Sequence, residues 1–159
     1  MDRKRNKRVI ITIALIGAFL MIGTGIKTAH AGNLADSAMY ATMSGGSQGL
    51  GEAYTGFGMY TGDNAYYASA YESMALAYEY AYYAYAYATY ASGDYATYAY
   101  TYAAEAYTYL ESAVTYAYYA YYYNDASYAS LSTIYGGFGA YYIAFSEFYA
   151  AIGSYGGSY

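Results

Sequence analysis

The side chains that could do chemistry in this sequence are phenols and carboxylates. The chain holds 32 tyrosines, the first at Tyr40, and neither cysteine nor tryptophan. Phenols stack, hydrogen-bond at one end and can pass radicals or couple as dityrosine. Two carboxylates facing one another could serve as acid and base, as in a glycosidase. Here no motif brings two acids together. All six Lys and Arg lie between Arg3 and Lys27, and the one histidine is His30. Beyond Ala31 there is no imidazole, thiol, amine or guanidinium to act as base, nucleophile or oxyanion clamp. The expectation is a non-enzyme without a cofactor.

The same distribution sets the charge. Ten acids follow Ala31 (Asp36, Glu52, Asp63, Glu72, Glu79, Asp94, Glu105, Glu111, Asp125 and Glu147), with no base among them. That stretch carries about −10 near neutrality. Nothing in it can neutralise phosphate, so nucleic acid is excluded as a partner, and so is attraction to anionic lipid. The carboxylates could bind divalent cations weakly. No D-x-D-x-D-G loop is present to make a dedicated calcium site.

The first 31 residues read as a secretory signal. Asp2–Arg8 is basic, Val9–Ile26 is apolar, and Ala29-His30-Ala31 fits the small-x-small rule. Cleavage after Ala31 would release a secreted or cell-surface protein with no membrane segment. The alternative is an uncleaved anchor, since the apolar run is about long enough to span a bilayer. With no cysteine there is neither a lipoprotein anchor nor a disulfide framework.

The remainder divides by a repeat of 31 residues, with Gly32, Asp63, Asp94, Asp125 and Gly156 at equal spacing. The units are 32–62, 63–93, 94–124 and 125–155, followed by a flexible tail over 156–159. Each junction carries Gly, Asp or Asn. Asp63, Asp94 and Asp125 are expected as helix N-caps, where a carboxylate accepts free backbone N–H groups. In the last unit Tyr128, Tyr135, Tyr142 and Tyr149 recur every seven residues, as do Leu131, Phe138, Phe145 and Ile152. That is an a/d pattern, which a strand would scatter over both faces. The third unit keeps Tyr102, Tyr109, Tyr116 and Tyr123 in phase, but Glu105 and Ser112 displace its apolar stripe toward Ala106, Ala113 and Ala120. The fold expected is therefore all-α, an antiparallel bundle of up to four helices forming one domain. A silk-like Tyr/Ala β-sheet is the alternative. Glycines inside the first and fourth units either break those helices or allow close approach, as at Gly45/Gly49 and Gly58/Gly62.

On a helical projection the tyrosines fall on two opposite faces with alanine between them. One face, with Tyr67, Tyr71, Met74, Tyr78, Tyr82 and Tyr85 in the second unit, is expected to close the core. The other holds Tyr80, Tyr83, Tyr87 and Tyr90 in the second unit and Tyr100, Tyr107, Tyr118, Tyr121 and Tyr122 in the third. Left over, that face is expected to serve self-association or binding, since long aromatic patches mark contact surfaces. These features together suggest an exported structural protein of the cell surface or extracellular matrix, joined to its own copies as a homo-oligomer or filament. Adhesion or ligand capture through a tyrosine-rich face is the alternative.

Overall fold

The computed structural model of the chain describes residues 32–156; the expected signal segment and residues 157–159 lie outside them. Four helices follow one another: α1 Asn33–Thr61, α2 Asn64–Thr89, α3 Asp94–Tyr123 and α4 Ala126–Gly156. No strand occurs among the described residues, so the silk-like alternative is not adopted. Alanine is the best helix former, and the absence of proline leaves nothing to interrupt these long runs. The glycine-rich stretches of the first and fourth units are helical throughout, and α4 continues through Gly153 to Gly156.

The turns are short and individually capped. Gly62 ends α1 in the left-handed region at φ 70° and donates its N–H to the Gly58 carbonyl. Asp63 then opens α2, its carboxylate accepting from the Ala65 N–H at 3.0 Å. Asn124 ends α3 at φ 50°, a conformation asparagine tolerates better than most residues. Asp125 accepts from the Ser127 N–H at 2.7 Å and caps α4. Asp94 departs from expectation. Gly93 holds the N-cap position of α3, and Asp94 sits inside the first turn, near the positive helix end but without a capping bond.

Turns this short reverse the chain, and the helices run up and down as a bundle. Each packs on its sequence neighbours, and α4 closes against α1. Four buried serines record the antiparallel register. Ser37 and Ser44 on α1 donate to the carbonyls of Ala84 and Ala77 on α2, at 2.8 and 2.7 Å. Ser132 and Ser146 on α4 donate to Ala113 and Ala99 on α3, both at 2.9 Å. A step along one helix is matched by an equal step back along its partner.

The core is not built from tyrosine. On α3 the buried residues are Ala96, Ala99, Ala103, Ala106, Leu110, Ala113, Ala117 and Ala120, alternating by three and four. On α2 they are Tyr67, Ala70, Met74, Ala77, Ala81, Ala84 and Ala88. On α1 they include Ser37, Ala41, Ser44, Gln48, Gly51, Thr55 and Gly58. On α4, Ala129, Ser132, Ile143, Ser146 and Ala150 continue the stripe. The expected first tyrosine face therefore does not close the core. Of its α2 members only Tyr67 and Met74 are buried, while Tyr71, Tyr78 and Tyr85 are half-buried and Tyr82 is exposed. The α4 register is displaced by about one residue from the Tyr128/Leu131 pattern. Small side chains let the backbones approach closely, and a helix centred on tyrosine would hold its neighbours apart.

The few large core residues fit against glycine. A methyl group on Gly58 would lie 2.5 Å from the Tyr67 ring, one on Gly51 2.9 Å from Met74, and one on Gly139 2.7 Å from Leu110. Of the expected close-approach pairs, Gly58 is such a site and Gly62 is a cap, whereas a methyl group on Gly45 would make only ordinary contact with Ile143 and one on Gly49 would meet open space. Gly139→Ala should destabilise the bundle by about 1–3 kcal/mol through overpacking, offset in part by better helix propensity. Leu110→Ala should cost about 2–5 kcal/mol. The double mutant should lose less than the sum, because the smaller residue 110 makes room for the new methyl. Urea midpoints of the four proteins test this, and strictly additive losses would refute the size matching.

Candidate functional site

Tyrosines excluded from the core line the seams between helices. There a ring can cover alanine while its hydroxyl stays in water. Along the α3–α4 seam the heptad tyrosines of one helix interleave with those of the other. Tyr116 stands 6.4 Å from Tyr128 and 5.3 Å from Tyr135, centroid to centroid. Tyr109 stacks on Tyr142 at 5.3 Å, Tyr102 on Tyr142 at 6.3 Å and on Tyr149 at 5.5 Å, and Tyr95 on Tyr149 at 6.5 Å. These are the heptad tyrosines of the third and fourth units. They do meet each other, but on the flank of the bundle.

The α2–α3 seam is built from pairs. Tyr78 stacks on Tyr107 at 4.5 Å with the two hydroxyls hydrogen-bonded, and Tyr85 lies 4.9 Å from Tyr100. On the α1–α2 seam Tyr40 is surrounded by Tyr80, Tyr83 and Tyr87, at 6.3, 5.1 and 5.3 Å. The α1–α4 seam is different. Thr42 donates to Glu147 across it at 2.9 Å, and the Gln48 amide donates to Glu52 beside Gly136.

The nine tyrosines expected to form one association face are thus divided. Tyr80, Tyr83 and Tyr87 pack on Tyr40, while Tyr100 and Tyr107 pair across to α2. Tyr90 is exposed beyond the end of α2, and Tyr121 is exposed on α3. Tyr118 and Tyr122 join Tyr119 and Tyr123 in an exposed cluster at the end of α3, which touches Tyr71 and Tyr128. The nine do not share one face because α2 and α3 each have two packed neighbours, and both consume tyrosine.

The most continuous exposed row lies outside those nine, on α4, with Phe138 and Phe145 leaning on Tyr109 and Tyr102 of α3 at 5.3 and 5.2 Å. Ile134, Phe138, Tyr141, Phe148 and Tyr155 on α4 are 54, 50, 59, 55 and 83 % exposed. Phe145 and Ile152 complete their spacing and are half-buried. Steps of four and three along this series make an outward heptad seam of bulky residues over three heptads. Phe138, Phe145 and Ile152 belong to the a/d heptad series of the fourth unit, and they lie outward of the core. The only charge between Ile134 and Tyr155 is Glu147, which is turned toward Thr42.

Two sets of groups have shifted acidities. Burial raises the pKa of Glu52 above the ordinary carboxylate value, and the Gln48 amide lowers it part of the way back. Burial, the Tyr107 hydrogen bond and nearby negative charge push Tyr78 up to about 12, and burial also raises Tyr40 and Tyr67. The described residues contain no group of three or more carboxylates that could hold a metal ion, and no helix long and apolar enough to cross a membrane.

The fold and these seams define a class: an acidic up-and-down four-helix bundle with a small-residue core and aromatic flanks. Comparisons with known protein families, curated proteins and solved structures find no match to this chain.

Glu52 is protonated more readily folded than unfolded, so its contribution is full below the unfolded pKa and is lost as pH rises through the folded one. Glu52→Gln should raise the melting temperature at pH ~7 and leave it unchanged near pH ~3.5. An equal gain at both values would assign the effect to packing. The phenols act on the alkaline side. Tyr40, Tyr67 and Tyr78 keep their protons in the folded state when the unfolded chain releases them, so stability is full below pH ~10 and falls above it. Denaturant midpoints at pH ~9 and ~11.5 check this, and equal midpoints would contradict it.

Proposed function

We propose that this is an exported, non-enzymatic structural protein of the cell surface or extracellular matrix, and that copies of it associate through the outward stripe of α4. The observation carrying this reading is the spacing of Ile134, Phe138, Tyr141, Phe148 and Tyr155, all at least half exposed on one side of one helix. Such an aromatic stripe is the kind of surface that soluble monomers avoid. Tyr and Phe each bury on the order of 150–250 Å² when covered, enough to form the centre of a standard interface.

A second copy of the chain is the occupant that fits best. The stripe is free of charge, so two such helices can meet without burying a carboxylate. A two-fold axis would set α4 against α4 and seal both stripes at once. The rest of each copy is acidic and would repel its partner. Protonation, divalent cations or raised ionic strength should therefore favour association.

Sedimentation velocity across pH ~3–8, with and without calcium, tests the reading. The expected result is an oligomer that strengthens in acid and with calcium. Phe148→Glu should return it to monomer with unchanged helical circular dichroism, since residue 148 supports no core contact. A protein that stays monomeric throughout would overturn self-association. It would favour adhesion through the exposed Tyr118, Tyr119, Tyr122 and Tyr123 cluster instead.

A further inference from the structure

We infer that Tyr78 and Tyr107 form an oxidative coupling site, at which a one-electron oxidant joins the two rings as an intramolecular dityrosine between α2 and α3. Their ring centroids are 4.5 Å apart with planes 18° from parallel, the shortest separation of any ring pair described here. Their hydroxyls are hydrogen-bonded to one another. A phenoxyl radical carries its spin on oxygen and on the carbons ortho and para to it. Hydroxyls in contact on stacked rings bring the ortho carbons of both residues together, where coupling occurs. Tyr85 and Tyr100 are the nearest rival, with oxygens 3.4 Å apart and rings tilted by 34°.

The pair is also supplied with oxidising equivalents. Tyr82 is 48 % exposed and its ring centre lies 5.9 Å from Tyr107. A radical formed there by a solvent oxidant can exchange with Tyr107 over one ring-to-ring step. Cysteine, whose thiol could otherwise reduce the radical, is absent from the sequence. The stoichiometry closes. Each phenol loses one electron and one proton, and one carbon–carbon bond forms between ortho carbons. Both rings then regain aromaticity by moving the ortho hydrogen to oxygen. With persulfate as oxidant, its O–O bond takes the two electrons and leaves as two sulfates with two protons.

The site does not depend on self-association, because both rings belong to one copy. The purified full chain, kept dilute in mild detergent, is to be photo-oxidised with a ruthenium tris-bipyridine sensitiser and persulfate. Cleavage after glutamate should release residues 73–79, whose one tyrosine is Tyr78, and residues 106–111, which hold Tyr107 and Tyr109. The expected product is a single-chain species with blue dityrosine fluorescence, in which these peptides are joined at two hydrogens below their summed mass. Tyr107→Phe should abolish that joined peptide, and Tyr109→Phe should leave it intact. Free peptide 73–79 after dityrosine has formed elsewhere would overturn the site. So would a joined peptide found only in cross-linked dimers, or one that survives Tyr107→Phe.

Discussion

The bundle depends on how closely its helices approach. Alanine, serine and glycine fill the facing positions, so each seam is narrow and the backbone itself becomes part of the packing surface. The four serine-to-carbonyl bonds follow from this, because a side chain as short as serine reaches a neighbouring carbonyl only when the helices are close. The few larger core residues then need a recess. Met74, Leu110 and Tyr67 each find one opposite a glycine, which is why glycine recurs in α1 and α4 without breaking them. The propensity lost at those positions, about 1 kcal/mol each, is set against the clash that a methyl group would cause.

Tight seams turn the tyrosines outward, Tyr67 in its recess opposite Gly58 excepted. A phenol is too large for the small-residue interface, and its hydroxyl needs a partner or water. Placed beside the seam, the ring shields alanine and stacks on its counterpart from the next helix. The α3–α4 ladder and the Tyr78–Tyr107 pair are two outcomes of one constraint. The stripe on α4 is a third. Its bulky residues share a helix whose inward positions are already occupied by Ala129, Ser132, Ile143, Ser146 and Ala150, so they face solvent.

The helical class, the heptad period and the turn positions were legible along the chain. Asp63 and Asp125 cap helices as their place beside Gly62 and Asn124 suggests. Asp94 differs because Gly93 takes the cap position, a shift of one residue that spacing alone does not resolve. The choice of inward stripe was legible only on α3, where Glu105 and Ser112 turned attention to Ala106, Ala113 and Ala120. Elsewhere size and hydropathy pointed to Tyr128, Leu131 and their heptad partners. Transfer free energy ranks a large ring above alanine, and no single helix reveals that its neighbours stand close.

What the sequence by itself determined is local: helix against strand, where the turns fall to within a residue or so, and the charge and chemistry available beyond Ala31. These depend on propensity, periodicity and composition, which act over a few turns of chain. Only the tertiary structure decided which of several in-phase heptad stripes lies inside. That choice rests on the distance between helices, a property of four segments together. It sent most tyrosines to the seams, split the nine residues expected on one face between two seams and exposed positions on α2 and α3, and left α4 as the helix with an exposed aromatic side.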